Sequence, residues 1–154
     1  MIDELLDRKV NDITIILNSS NLDKKSKLRA SFEKDKELHY QPTTYPGARI
    51  PHAWVYDNLG LKHSTLDLCG KGNFSIFTGI GGLNWINAAK IIEKDLGISL
   101  TCNVIGPDQD YEDHAGEWSD IREINDDGII LVRPDQHICW RSKNMHSDAG
   151  KKLM

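Results

Sequence analysis

Phe74-Ser75-Ile76-Phe77-Thr78, then Gly79-Ile80-Gly81-Gly82, then Trp85, Ala88, Ala89, Ile92 and Leu96 decide how this chain of 154 residues is read. The first five residues alternate as a strand does, because successive strand side chains point to opposite faces. The glycines make a turn. Trp85 and its partners recur at i, i+3, i+4, i+7 and i+11, one face of a helix, and Gly97 stands where a left-handed residue closes it. Ile98 to Ile105 is then apolar apart from Ser99, Thr101 and Asn103, which predicts a central strand. A strand, a helix and a strand in that order form a parallel pair with a crossover.

Working outward, Ala53-Trp54-Val55-Tyr56 reads as a strand stopped by Asn58 to Gly60. Ser64-Thr65-Leu66-Asp67-Leu68 reads as another, closed by Gly70 and Gly72. Asp108 to Asp127 is mainly loop, with a turn of helix around Trp118 to Ile124. Gly128-Ile129-Ile130-Leu131-Val132 is a strongly apolar strand, and Arg133-Pro134-Asp135-Gln136 a turn, since proline presets φ at its second position. His137 to Arg141 returns as the other arm of a hairpin. The order predicts an α/β fold, a mixed sheet flanked by helices of the general thioredoxin type, with an N-terminal helical arm.

Three segments follow: a charged helical arm over residues 1–39, a thioredoxin-like domain over 40–142 and a flexible tail over 143–154. In the arm, Ile2, Leu5, Leu6, Val10, Ile13, Ile16 and Leu17 follow a helical stripe, with Asp3 and Glu4 favouring the dipole of the first turn. Such a stripe must be buried, on its own domain or against a second copy or partner.

A net charge of −4 is wrong for a general nucleic-acid binder, whose affinity comes from neutralising phosphates. Nine acidic residues against one basic fall between 101 and 130. No apolar run is long enough to span a membrane, and the N-terminus lacks a signal-peptide pattern, so neither nucleic acid nor membrane is an expected partner. Three cysteines without a Cys-x-x-Cys are the pattern of a reduced, cytoplasmic protein. The starting Met1 reads as that of a free-standing gene product.

The glycine turn invites a phosphate-binding reading. The dinucleotide fingerprint needs a third glycine at position 84, which is Asn84, so the plain tight turn is preferred. A thioredoxin-type fold would carry its catalytic thiols at this turn, but no cysteine lies between Gly70 and Thr101. Cys69, beside a glycine after a strand, is the candidate reactive thiol and is expected to be half-exposed; Cys102 and Cys139 are expected as small core residues. Asp108, Asp110, Glu112, Asp113 and His114 resemble a calcium loop, but its sixth residue is Asp113 rather than glycine and its twelfth Ser119 rather than glutamate. No metal site is expected. Arg49, His52 and Trp54 are the candidate ligand or interface residues, because arginine pairs with a carboxylate and tryptophan stacks on an aromatic acid. His52 and His137 also read simply as hydrogen-bonded histidines beside apolar segments.

Three blocks then line up: Pro46-Gly47-Ala48-Arg49-Ile50-Pro51-His52-Ala53-Trp54; Ser64-Thr65-Leu66-Asp67-Leu68; and Gly128-Ile129-Ile130-Leu131-Val132-Arg133-Pro134-Asp135-Gln136-His137-Ile138-Cys139-Trp140-Arg141. In this order they resemble the C-terminal thioredoxin-like domain of flavin-dependent aromatic hydroxylases, the phenol and 2,4-dichlorophenol monooxygenase group. Gln41-Pro42-Thr43-Thr44-Tyr45 is similar to the chlorophenol branch. The resemblance implies an FAD- and NADPH-dependent monooxygenase body elsewhere, in a full-length relative or a partner. It also implies a domain without redox cysteines that touches that body and sometimes a second subunit. No catalytic, cofactor-binding or metal-ligating residue carries over. The expectation is a non-catalytic accessory or dimerisation domain. The alternatives are a self-contained Cys69 redox protein and an aromatic-ligand binding module.

Overall fold

A computed structural model of the chain describes residues 41–153. The arm expected over residues 1–39 lies outside them. The described chain forms strands β1 (Trp54–Asp57), β2 (Lys62–Ser64) and β3 (Phe74–Thr78), helix α1 (Leu83–Leu96), strands β4 (Leu100–Val104) and β5 (Tyr111–Glu112), helix α2 (Glu117–Ile121), strands β6 (Ile129–Val132) and β7 (Ile138–Ser142), and helix α3 (Ala149–Leu153). Two sheets result. One has the order β2-β1-β5, the other β4-β3-β6-β7. The β3–β4 pair is parallel, and the β3–β6 and β6–β7 pairs are antiparallel.

Alternation along β3 and β6 gives the larger sheet two working faces. Phe77 and Ile130 point into a core shared with the smaller sheet, where Val55, Ile105, Trp118 and Ile138 meet them. Ile76 and Ile129 point the other way, onto Trp85, Ala88 and Ala89 of α1. Helix α1 ends at Gly97, whose positive φ of 64° lets its N–H reach the Glu93 carbonyl.

The strand–helix–strand unit and the hairpin are where the periodicity puts them; three other expectations need correction. Strand β4 is an edge strand, not a central one: the outer N–H of Leu100 is taken by the Glu93 carboxylate at 3.0 Å and that of Val104 by Asp110 at 3.2 Å. Ser64–Leu68 is a strand only up to Ser64. Beyond it Ser64 N–H donates to Asp67, Leu66 N–H to the Ser64 hydroxyl and Asp67 N–H to the Ser64 carbonyl, and these local bonds outcompete a ladder. The flexible tail expected over 143–154 instead includes α3, whose buried Ala149 and partly buried Leu153, with Met145 ahead of the helix, pack against the α1 core.

Among the described residues no helix is long and apolar enough to cross a membrane.

Candidate functional site

The three sequence blocks meet at Gln136. The turn that ends β6 closes with Gln136 N–H on the Arg133 carbonyl, at 2.9 Å, and puts Gln136 at a φ of +68°. From there its side chain donates to the Leu66 carbonyl at 2.9 Å and accepts from Arg49 Nε and Nη2 at 3.2 and 2.5 Å. Gly70 leaves room for it, since a Cβ there would lie 3.2 Å from Gln136 Cγ. The backbone of Gly47–Ile50 is bonded alongside Gln136 and Ile138, so the entering chain covers the outer edge of the hairpin where β7 begins. Thr65, fully buried, fastens the same region: its hydroxyl donates to the Pro51 carbonyl at 2.7 Å and accepts from Ala53 N–H at 3.0 Å.

His52 and Trp54 do come together, edge to face with ring centroids 4.6 Å apart, but Arg49 is drawn away to Gln136. The His52 ring also meets the Ser64 hydroxyl at 2.7 Å, and Lys62 Nζ sits 4.2 Å over the Trp54 ring, where a ligand ring would stack. Neither of the two cavities that stand out among the described residues is lined by this trio: one of about 150 Å³ is lined by Cys69, Ser75, Asn103 and Tyr111 and one of about 200 Å³ by Ile92, Leu100, Leu131 and Leu153.

Cys69 is buried rather than half-exposed. Burial pushes its thiol up to about 11, although Arg49 pulls the other way, which is the opposite of an activated thiolate. Cys139, expected in the core, is exposed, and Cys102 is half-buried. Among the described residues no group of three or more His, Cys, Asp or Glu could hold a metal. The carboxylates of the acidic loop hold backbone instead, Asp110 at Val104 and Asp113 at Ser119.

The glycine turn is tied to the backbone that leads into β6. Gly81 N–H donates to the Asp126 carbonyl at 3.0 Å, and a Cβ on Gly79 would lie 2.6 Å from that oxygen. Glycine is needed here for close approach of the 126–127 backbone, not for an anion.

A second cluster, with no local signature in the sequence, fixes the chain where it enters. The Glu123 carboxylate accepts from Thr43 Oγ1 and Thr44 N–H, each at 2.8 Å, and from Arg141 Nη1 at 2.5 Å. Arg141 also lies 4.8 Å from the centre of the Tyr45 ring. Partial burial works to raise the Glu123 carboxyl, but the Thr44, Thr43 and Arg141 bonds prevail and hold it below its ordinary value.

The arrangement is that of a mixed α/β domain whose shared blocks hold chain to chain. Residues 43–154 match the family model of the C-terminal domain of aromatic-ring hydroxylases, and the chain belongs to that family. It is 50% identical over 122 residues, 79% of its length, to 2,4-dichlorophenol 6-monooxygenase of Cupriavidus pinatubonensis, of which that stretch is 20%. It is 45% identical over 125 residues to phenol 2-monooxygenase of a Pseudomonas strain, covering 81% of this chain and 20% of the relative. Among solved structures, the flavin-dependent monooxygenase PieE in complex with FAD and substrate superposes with a TM-score of 0.69 at 36% identity, over 87% of this chain and 21% of that one. The chain thus spans about a fifth of the length of these relatives.

Proposed function

We propose that the described domain is a non-catalytic, thioredoxin-like accessory domain of an FAD- and NADPH-dependent aromatic hydroxylase acting on phenols, the flavin and substrate being held by a separate body. The observation that carries this is the knot at Gln136. Arg49, Leu66 and Gln136, one from each block through which the chain resembles its relatives, are engaged with one another, and the cavity that Asp67 and Leu68 of the second block help to line measures about 150 Å³.

The thioredoxin-like part of the reading is supported by the order β3-α1-β4-β5-α2-β6-β7-α3, in which β5 joins the smaller sheet and the larger one has a parallel first pair and antiparallel strands after it. Where a thioredoxin needs its thiols, this chain has Gly79 and Gly81 in close approach to Asp126 and Asp127. Purified chain titrated with FAD is expected to leave flavin fluorescence unchanged, and to give no hydroxylated product from phenol with NADPH and oxygen. Stoichiometric flavin binding, or turnover by the chain alone, overturns the reading.

A further inference from the structure

We infer that the end of the domain carrying Ile80 and Leu83 is its docking face for the flavin-binding body, an inference that rests on the accessory reading above. Ile80 is 56% exposed and Leu83 66%, apolar side chains on the turn into α1. That turn is rigid, because Gly81 is bonded to Asp126 and Trp85 Nε1 donates to the Asp127 carbonyl at 2.9 Å. It displays the two side chains without loss of order, as a contact surface requires.

Position supplies the occupant. In relatives about five times longer, the matched segment is C-terminal, so the body precedes Thr43. The chain enters the described domain at Thr43 and Thr44, held by Glu123. Glu123 is three residues before Asp126, against which Gly79 and Gly81 pack. Thr78, from which β3 runs into that turn, pairs with Ile129, and Ile129 with Ser142 next to Arg141, which bonds Thr44 and Glu123, so the exposed apolar pair and the entry point share one end of the domain, the end to which a relative's body leads. Of the other exposed large apolar residues, Tyr45, Ile91, Leu96, Ile98, Leu59 and Leu61, the last two sit on the β1–β2 turn, in the other sheet.

The test is a full-length dichlorophenol hydroxylase in which the matching 122 residues are replaced by those of this chain. Three forms are compared: the unaltered chimera, Ile80→Ser with Leu83→Ser, and Leu59→Ser with Leu61→Ser. Protease cleavage at the junction preceding Thr43 reports undocking, and bound FAD reports the body. Circular dichroism of the full chain carrying each pair of substitutions checks that the domain still folds. The expected result is a protected junction and retained FAD in the unaltered chimera. The Ile80/Leu83 form is expected to cleave about tenfold faster, the loss of one decade of docking equilibrium, with the Leu59/Leu61 form unchanged. Faster cleavage in the Leu59/Leu61 form alone, or in neither, overturns the assignment of the face and leaves the accessory reading standing. An unaltered chimera that never protects its junction overturns both. A chain that dimerises alone, and becomes monomeric on Ile80→Ser with Leu83→Ser, assigns the face to a second copy and overturns the inference as well.

Discussion

Glu123 and Gln136 both hold a backbone conformation that non-glycine residues adopt rarely, at φ of 51° and 68°, and each recovers the cost through its side chain. Replacing Gln136 by alanine keeps the strained φ and removes the bonds to Leu66 and Arg49; glycine removes the same bonds and also the strain. Gln136→Gly is therefore expected to be less destabilising than Gln136→Ala by about 1 kcal/mol, with both below the parent in urea unfolding. An alanine variant equal to or better than the glycine one would show that the left-handed conformation costs nothing here. Glu123 makes a pH-dependent contribution. Its folded carboxyl titrates below the 4.5 of the free side chain, so the unfolded chain takes up a proton first as pH falls. The contribution is complete above about pH 4.5 and disappears as pH drops through the lower, folded value. Glu123→Gln is expected to cost about 1 kcal/mol near neutral pH, the modest size reflecting a half-exposed group. Its melting temperature should fall less steeply than the parent's below about pH 4.5. Parallel curves for parent and variant would remove Glu123 from the account.

Elements were legible in the sequence where one local pattern decides them and illegible where distant residues do. Helix α1 is written in Trp85, Ala88, Ala89 and Ile92, all buried on one face. Strand β7 departs from its own alternation because the register shifts between Leu131 and Val132, which pair with Trp140 and Ile138. The residue between them, Cys139, is the extra one of a bulge and is left exposed. Alternation alone cannot announce a bulge, which is why this thiol was expected in the core. Helix α3 did leave a signal, Met145, Ala149 and Leu153 at four-residue intervals, but three apolar residues are too few to separate from a polar tail. Of the site, Arg49, His52 and Trp54 were visible as residue types. Gln136, and the joining of Thr44, Glu123 and Arg141, were not, since partners up to 97 positions apart leave no local trace. Two outcomes follow from the elements as they stand. Alkylation near neutral pH should modify Cys139 first and Cys69 last, read peptide by peptide by mass spectrometry; early loss of Cys69 would mean that its burial is transient. Truncation after Asn144 removes the partly or fully buried Met145, Ala149 and Leu153 and should cost on the order of 3 kcal/mol, where loss of a free tail would cost nothing.

The larger sheet is a wall shared by two cores, and this couples everything the molecule displays at its ends. Neighbouring residues of one strand, Ile129 and Ile130, are each fully buried but on opposite sides, Ile129 against the α1 core and Ile130 against the core shared with the smaller sheet. Neither layer can lose its order without leaving the other an unpaired sheet face, so the described domain should unfold as a single unit. Tryptophans report each side: Trp118, packed 5.6 Å from Phe77 between the sheets, and Trp85, 5.8 Å from Trp140 beneath α1. Ile129→Ala and Ile130→Ala are each expected to cost about 3 kcal/mol, the transfer and cavity cost of a buried isoleucine. Each should also move the urea transition of both reporters by the same amount, with the slope m unchanged. This is checked in variants that keep only Trp118 or only Trp85. If Ile129→Ala displaced the Trp85 transition while Trp118 held its midpoint, the two sides would be separate folding units. Coincident midpoints mean that the knot at Gln136, the clamp at Glu123 and the Ile80 end are held by one cooperative transition, so a cavity opened anywhere along β6 lowers the stability with which all three are presented.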